Sequence, residues 1–137
     1  MVRSLPAGQL QATLTSFRGN AQALRLLPGG EAAVVGSDDG TAYVLGLDGV
    51  VRCTANHGDA VSSLAVVSSG ETFATAGRHG RSAIMLWRID GTPAGEVGTG
   101  RPHPPTKIAL SPGGDVLYDA YNAARDGASL VVWKLPR

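Results

Sequence analysis

Cysteine is nearly absent: Cys53 stands alone, so no disulfide can form within the chain. That favours a reducing compartment. Aromatic residues make up only 5% of the sequence, so a core must come mainly from Val, Leu, Ile and Ala. No apolar run approaches the ~20 residues that a membrane-spanning helix needs. The opening MVRSLPAGQLQATL has no apolar core of a secretory leader. A soluble, cytoplasmic protein is the expectation. Neither sign of charge dominates, with 12 Lys and Arg against 11 Asp and Glu and a net charge of +1. A nucleic-acid footprint would need a basic stripe. Neither nucleic acid nor a membrane is therefore expected as a partner. No GxSxG is present, and GRHGRS lacks the strand and helix that frame a phosphate loop.

What the sequence does have is punctuation. Its 137 residues, enough for one domain, include 19 Gly and 8 Pro spread along the chain. They separate short apolar runs, the mark of many strands joined by tight turns. Residues 1–8 read as a loose lead-in and 9–14 as an opening strand. Strands are then predicted at 21–27, 31–37, 41–47, 50–55, 60–67, 71–77, 82–89, 93–98, 106–111, 115–121 and 128–135. The run 21–27 is made of good helix formers, but Pro28-Gly29-Gly30 stops it after seven residues, so a strand is predicted. Asp38-Asp39-Gly40 is a hairpin signal, because Gly accepts positive φ and Asp bonds its own turn. TGRPHPP (99–105) must be a loop, since prolines cannot join a central ladder. NAARDG (122–127) is the longest predicted hairpin loop.

The runs repeat. The turn glycines Gly30, Gly70 and Gly114 are 40 and 44 residues apart, and the strand-closing positions Leu45, Trp87 and Trp133 are 42 and 46 apart. A period of ~40–45 residues with four strands per unit is the sequence signature of propeller blades. A lone blade has two apolar faces and cannot bury both, so blades stack on one another.

On these residues the sequence resembles the WD-repeat β-propeller family. The second repeat carries the match best. His57 precedes the innermost strand as in the family's Gly-His segment, Thr75 falls at the Ser/Thr position of the second strand, and Trp87 closes the third. The resemblance implies that His, Ser/Thr, a turn Asp and Trp form a hydrogen-bonded set within the blade. In this repeat the loop Arg78-His79-Gly80-Arg81 replaces the turn Asp. The first repeat keeps Asp39-Gly40 but has Phe17 at the His position and Leu45 at the Trp position. The third keeps Asp126-Gly127 and Trp133, with Arg101 at the aligned His position and His103 two residues away. Trp87 is followed by Arg88 and Trp133 by Lys134, so no Trp-Asp pair survives.

The expected architecture is all-β, with about three four-stranded antiparallel blades at roughly 15–55, 56–98 and 99–137, within a domain spanning 9–137. The predicted strands number twelve, and the opening strand 9–14 would complete the final blade, as the resemblance implies. Three blades are fewer than the four to eight of closed propellers. Closure through a second copy, giving six blades, or through another propeller-forming chain is therefore expected.

Candidate sites are weighed against plainer readings. Arg78, His79, Arg81, Arg101, His103 and Arg125 fall in loops that the topology predicts on one face, together with Arg18. Guanidinium groups there could hold an acidic peptide or phosphate. The plainer reading is solubility, with Asp38, Asp39, Asp59 and Asp126 on that face cancelling the charge. Asp38, Asp39, Asp119 and Asp126 read as turn residues rather than paired catalytic carboxylates. His57, Thr75, Trp87, Asp39, Asp126 and Trp133 read as the structural blade motif. The three His lie in different loops without metal-ligand spacing, and Cys53 reads as a small apolar strand residue. No metal, cofactor or catalytic residue is expected. The function that the resemblance implies is a non-catalytic scaffold for protein–protein interaction. The alternatives are a propeller hydrolase or lactonase with a site in the central channel, and a fragment or subunit that completes a larger propeller.

Overall fold

The computed structural model describes residues 2–4, 9–12, 19–46, 48–77, 84–97, 107–123 and 127–135. Three antiparallel sheets follow one another along the chain. The first is β3 (Ala21–Leu26), β4 (Ala32–Ser37), β5 (Thr41–Gly46) and β6 (Val51–Asn56). The second is β7 (Val61–Val66), β8 (Thr72–Gly77), β9 (Ile84–Arg88) and β10 (Pro93–Val97). The third is β11 (Lys107–Leu110), β12 (Val116–Ala123) and β13 (Gly127–Lys134). In each sheet neighbouring strands are also consecutive in sequence, so each is a meander of hairpins. All of these strands fall on predicted runs, the ambiguous 21–27 among them.

The ends of the chain depart from expectation. The lead-in holds a short strand, β1 (Val2–Ser4), which pairs with β2 (Gln9–Ala12) in a separate two-stranded sheet. Among the described residues the third sheet has no fourth strand. The predicted loop 122–127 is also shorter than expected, because the β12–β13 ladder continues through Asn122↔Ala128 to Ala123↔Gly127.

The periodic glycines have one job in all three sheets. Gly30, Gly70 and Gly114 have φ of 70°, 74° and 75°, a left-handed conformation that only Gly adopts at no steric cost. Each donates its N–H back across the turn between the first two strands, to the carbonyls of Leu27, Val67 and Ser111 at 3.0, 3.0 and 2.9 Å.

Burial shows how the sheets stack. β7 packs on β3 and β4, and β11 packs on β7 and β8. The middle sheet is therefore covered on both sides. Phe73, Ala74, Thr75 and Ala76 of β8 are all fully buried in succession, and the strand alternates bulky Phe73 with small Ala to fit. In β12, by contrast, Leu117 and Asp119 are buried while Tyr118 between them is exposed, the alternation of a sheet covered on one face. One core cluster joins the first and second sheets around Val34, Val44, Leu64, Phe73 and Trp87. Another joins the second and third around Ala74, Ile84, Ile108 and Leu117. Burying a side chain the size of Leu64 or Phe73 contributes about 1.5–3 kcal/mol. The two seams therefore hold the sheets in one stack.

Candidate functional site

In the second blade His57, Thr75 and Trp87, three members of the set that the motif implies, are joined by hydrogen bonds, while the turn Asp is missing from this repeat. His57 leaves β6 and turns into β7, its backbone fixed by His57 N donating to the Gly40 carbonyl at 2.8 Å. Its imidazole is buried, with Nδ1 2.7 Å from Thr75 Oγ1. Trp87 Nε1 donates to the same oxygen at 2.9 Å. One hydroxyl on the central strand thus ties the inlet loop to the third strand. Gly77 leaves room beside them: a Cβ there would lie 2.6 Å from Asp59 Oδ2 and 2.8 Å from His57 Nε2. The acid that shares this spot comes from the His57 loop itself, not from the hairpin turn.

The third blade solves the same problem differently. Asp119 is not at a turn, as the sequence reading placed it. It lies in β12, fully buried, and accepts a hydrogen bond from Trp133 Nε1. Trp133 faces Leu117 in the ladder, just as Trp87 faces Phe73, so Asp119 occupies the position of Thr75. In the first blade that position is Val35 and the Trp position is Leu45, both buried. Acceptor and donor have been lost together, which leaves neither polar group stranded.

Asp39 serves its turn. Its carboxylate accepts from Thr41 N at 2.8 Å and from the Tyr43 hydroxyl at 2.6 Å. Asp38 spans two loops, accepting from Asn20 N at 2.6 Å and Asn20 Nδ2 at 3.1 Å. These bonds bring the inlet loop of the first blade onto its β4–β5 turn, on the common loop face that the topology predicts. Arg18, Arg78, His79, Arg81, Arg101, His103, Arg125 and Asp126 lie outside the described residues. Asp39, His57, Thr75, Trp87 and Trp133 are described, and each sits within its own blade.

Four contacts between blades had no sequence signal, because they depend on how far apart two sheets stand. The half-buried Cys53 donates its Sγ–H to the Ile89 carbonyl at 2.9 Å. Burial, and then the nearby Asp90 carboxylate, push this thiol's pKa up. Ser63 Oγ accepts from Ile108 N at 3.1 Å in the buried second seam, and Ser68 Oγ donates to the Pro112 carbonyl at 2.7 Å. Gly36 admits Val61, whose Cγ1 would lie 2.5 Å from any Cβ.

Among the described residues no group of three or more His, Cys, Asp or Glu is placed to hold a metal ion. A recess of about 140 Å³ at the second seam is lined by Val67, Phe73, Leu86, Leu110 and Leu135 among others, none of them titratable.

No protein-family model matches the chain, and no curated protein matches it. A solved structure does: a crystal structure of the RRP9 WD40 repeats superposes with a TM-score of 0.76 at 19% identity, covering 88% of this chain. The chain spans 37% of the length of that structure. Three stacked sheets, each strand-closing Trp bonded to the central strand, and this superposition lead to one conclusion: the chain has the WD40 β-propeller fold, as a run of three blades.

Proposed function

We propose that the chain is a non-catalytic interaction scaffold, an incomplete propeller that engages another protein through its loop face or its open blade ends. The observation that carries this reading is where the apolar surface lies. Leu24 and Leu26 are exposed at one end of the stack, and Tyr118, Leu130 and Val132 at the other. Soluble monomers rarely leave apolar sheet faces uncovered at both ends. Asp38, Asp39 and Asp119 are engaged in bonds within the fold, which fits a structural role for these three.

Two surfaces then compete for a partner. On the loop face, Arg78, His79, Arg81, Arg101, His103 and Arg125 would bind an acidic segment. At the blade ends a further blade would dock. The reading that the chain completes a larger propeller is favoured by its spanning 37% of the matched structure. Affinity capture with three baits separates these surfaces: the unaltered chain, Arg78→Ala/Arg81→Ala, and Leu130→Glu/Val132→Glu. A partner lost only with the arginine bait uses the loop face, and one lost only with the apolar bait uses the blade end. A partner retained by both variants would overturn the scaffold reading in this form.

A further inference from the structure

The internal seams define what each open end lacks. With the ladders aligned on Leu45, Trp87 and Trp133, the innermost-strand residues Leu24, Leu64 and Ile108 are equivalent. Leu64 is 0% exposed and Ile108 5%, because each faces the blade before it; Leu24 is 57% exposed. On the opposite face, Val34, Ala74 and Tyr118 are equivalent, as are Ala42, Ile84 and Leu130, and Val44, Leu86 and Val132. Val34, Ala74, Ala42 and Ile84 are 3% exposed or less, each covered by the next blade. Tyr118, Leu130 and Val132 are 42%, 64% and 56% exposed.

One contact is thus made twice within the chain. Leu64 packs in a cluster with Val34, Ala42 and Val44. Ile108 packs in a cluster with Ala74 and Ile84, with Leu86 against it. The third instance is split between the two ends: Leu24 is its innermost-strand half, and Tyr118, Leu130 and Val132 are the receiving half. Farther out on the Leu24 face, Val35 and Leu45 are already buried, so the open part is the strip on β3. The innermost strand is also where both internal seams are built.

We propose that the occupant of both ends is a second copy of this chain, joined head to tail. Leu24 and Leu26 of one copy pack on Tyr118, Leu130 and Val132 of the other. The two halves are complementary and each chain carries one of each, so a rotation that closes gives a ring. Two copies give six blades, within the four to eight that propellers use, whereas one gives three and three give nine. This inference rests on the reading of the chain as an open run of blades, and it names the partner at the blade ends.

The test is the solution mass of the purified chain by light scattering across ~1–100 µM. The expected species has twice the 14.0 kDa chain mass. Leu24→Glu/Leu26→Glu and Leu130→Glu/Val132→Glu should each give a folded monomer by circular dichroism. Loss of the dimer in only one of the two variants would mean like faces meeting, and would overturn the head-to-tail arrangement. Hydrogen exchange on the unaltered chain makes the test independent of variant folding. Protection in β3, β12 and β13 should rise with concentration while β8 stays constant. A folded monomer with concentration-independent exchange overturns the second-copy proposal and leaves the three-blade scaffold reading standing. Failure of the chain to fold alone would overturn it in favour of a different propeller chain.

Discussion

Asp119 does in the third blade what Thr75 does in the second: each, on the central strand, accepts the indole N–H of the Trp that closes the next strand. The two differ in what else they carry. Thr75 Oγ1 is shared with His57 Nδ1, whereas Asp119 brings a carboxylate into a buried position.

Removing these acceptors should cost stability. Thr75→Val keeps the shape but leaves both the Trp87 N–H and the His57 ring nitrogen without their shared partner. Each buried polar group left unsatisfied costs about 1–3 kcal/mol, so a loss of about 2–4 kcal/mol is expected in urea unfolding, with Thr75→Ser recovering most of it. Asp119→Ala should cost about 1–3 kcal/mol by the same argument. Asp119→Asn, which keeps an acceptor for Trp133, should cost less.

Gly77→Ala should disturb the His57 corner by crowding. Its added methyl would meet Asp59 Oδ2 and His57 Nε2 well inside contact distance. Overpacking of this kind costs about 1–3 kcal/mol. The His57 ring resonances in NMR should shift as well, while those of Trp133 should not.

Cys53 should react slowly with alkylating reagents. Burial and the Asp90 carboxylate raise its pKa, so less thiolate is present at pH 8 than in a free cysteine, and thiolate is the reacting form. The rate should rise on unfolding in urea, and more steeply with pH in the folded chain than in a short peptide. A folded rate equal to that of the peptide would remove the Sγ–Ile89 contact as a feature of the fold in solution.

Val35→Thr tests the opposite case. The family's pattern puts a hydroxyl there, but in this blade the Trp that would donate to it is Leu45. The hydroxyl would enter a buried site without that donor. An unpartnered buried hydroxyl costs about 1–3 kcal/mol in protein substitution data, and destabilisation of that size is expected in thermal or urea unfolding.

The strands were legible because glycine turns and apolar alternation are local signals. The set His57, Thr75 and Trp87 was legible because its spacing is fixed by two hairpins. Asp119 was misread because an acid near a predicted loop looks like a turn residue. Its alternation with Leu117 in DVLYDAY, and its place in the ladder relative to Trp133, would have put it on the buried face. The loss of polar groups in the first blade was visible at Leu45 but not at Val35, which looks like any strand valine. Cys53, Ser63 and Gly36 carried no signal, since a seam between sheets has no period along the chain.

Gly36 meets Val61 across the first seam, and Gly114 meets Val67 across the second, where a Cβ would lie 2.8 Å from Val67 Cγ1. Neither glycine serves only its own sheet. Each sets how closely two sheets approach, because a methyl at either position would press on the valine opposite. A single methyl at Gly36 or Gly114 would therefore be felt in two sheets at once, in the one that carries it and in the one it meets.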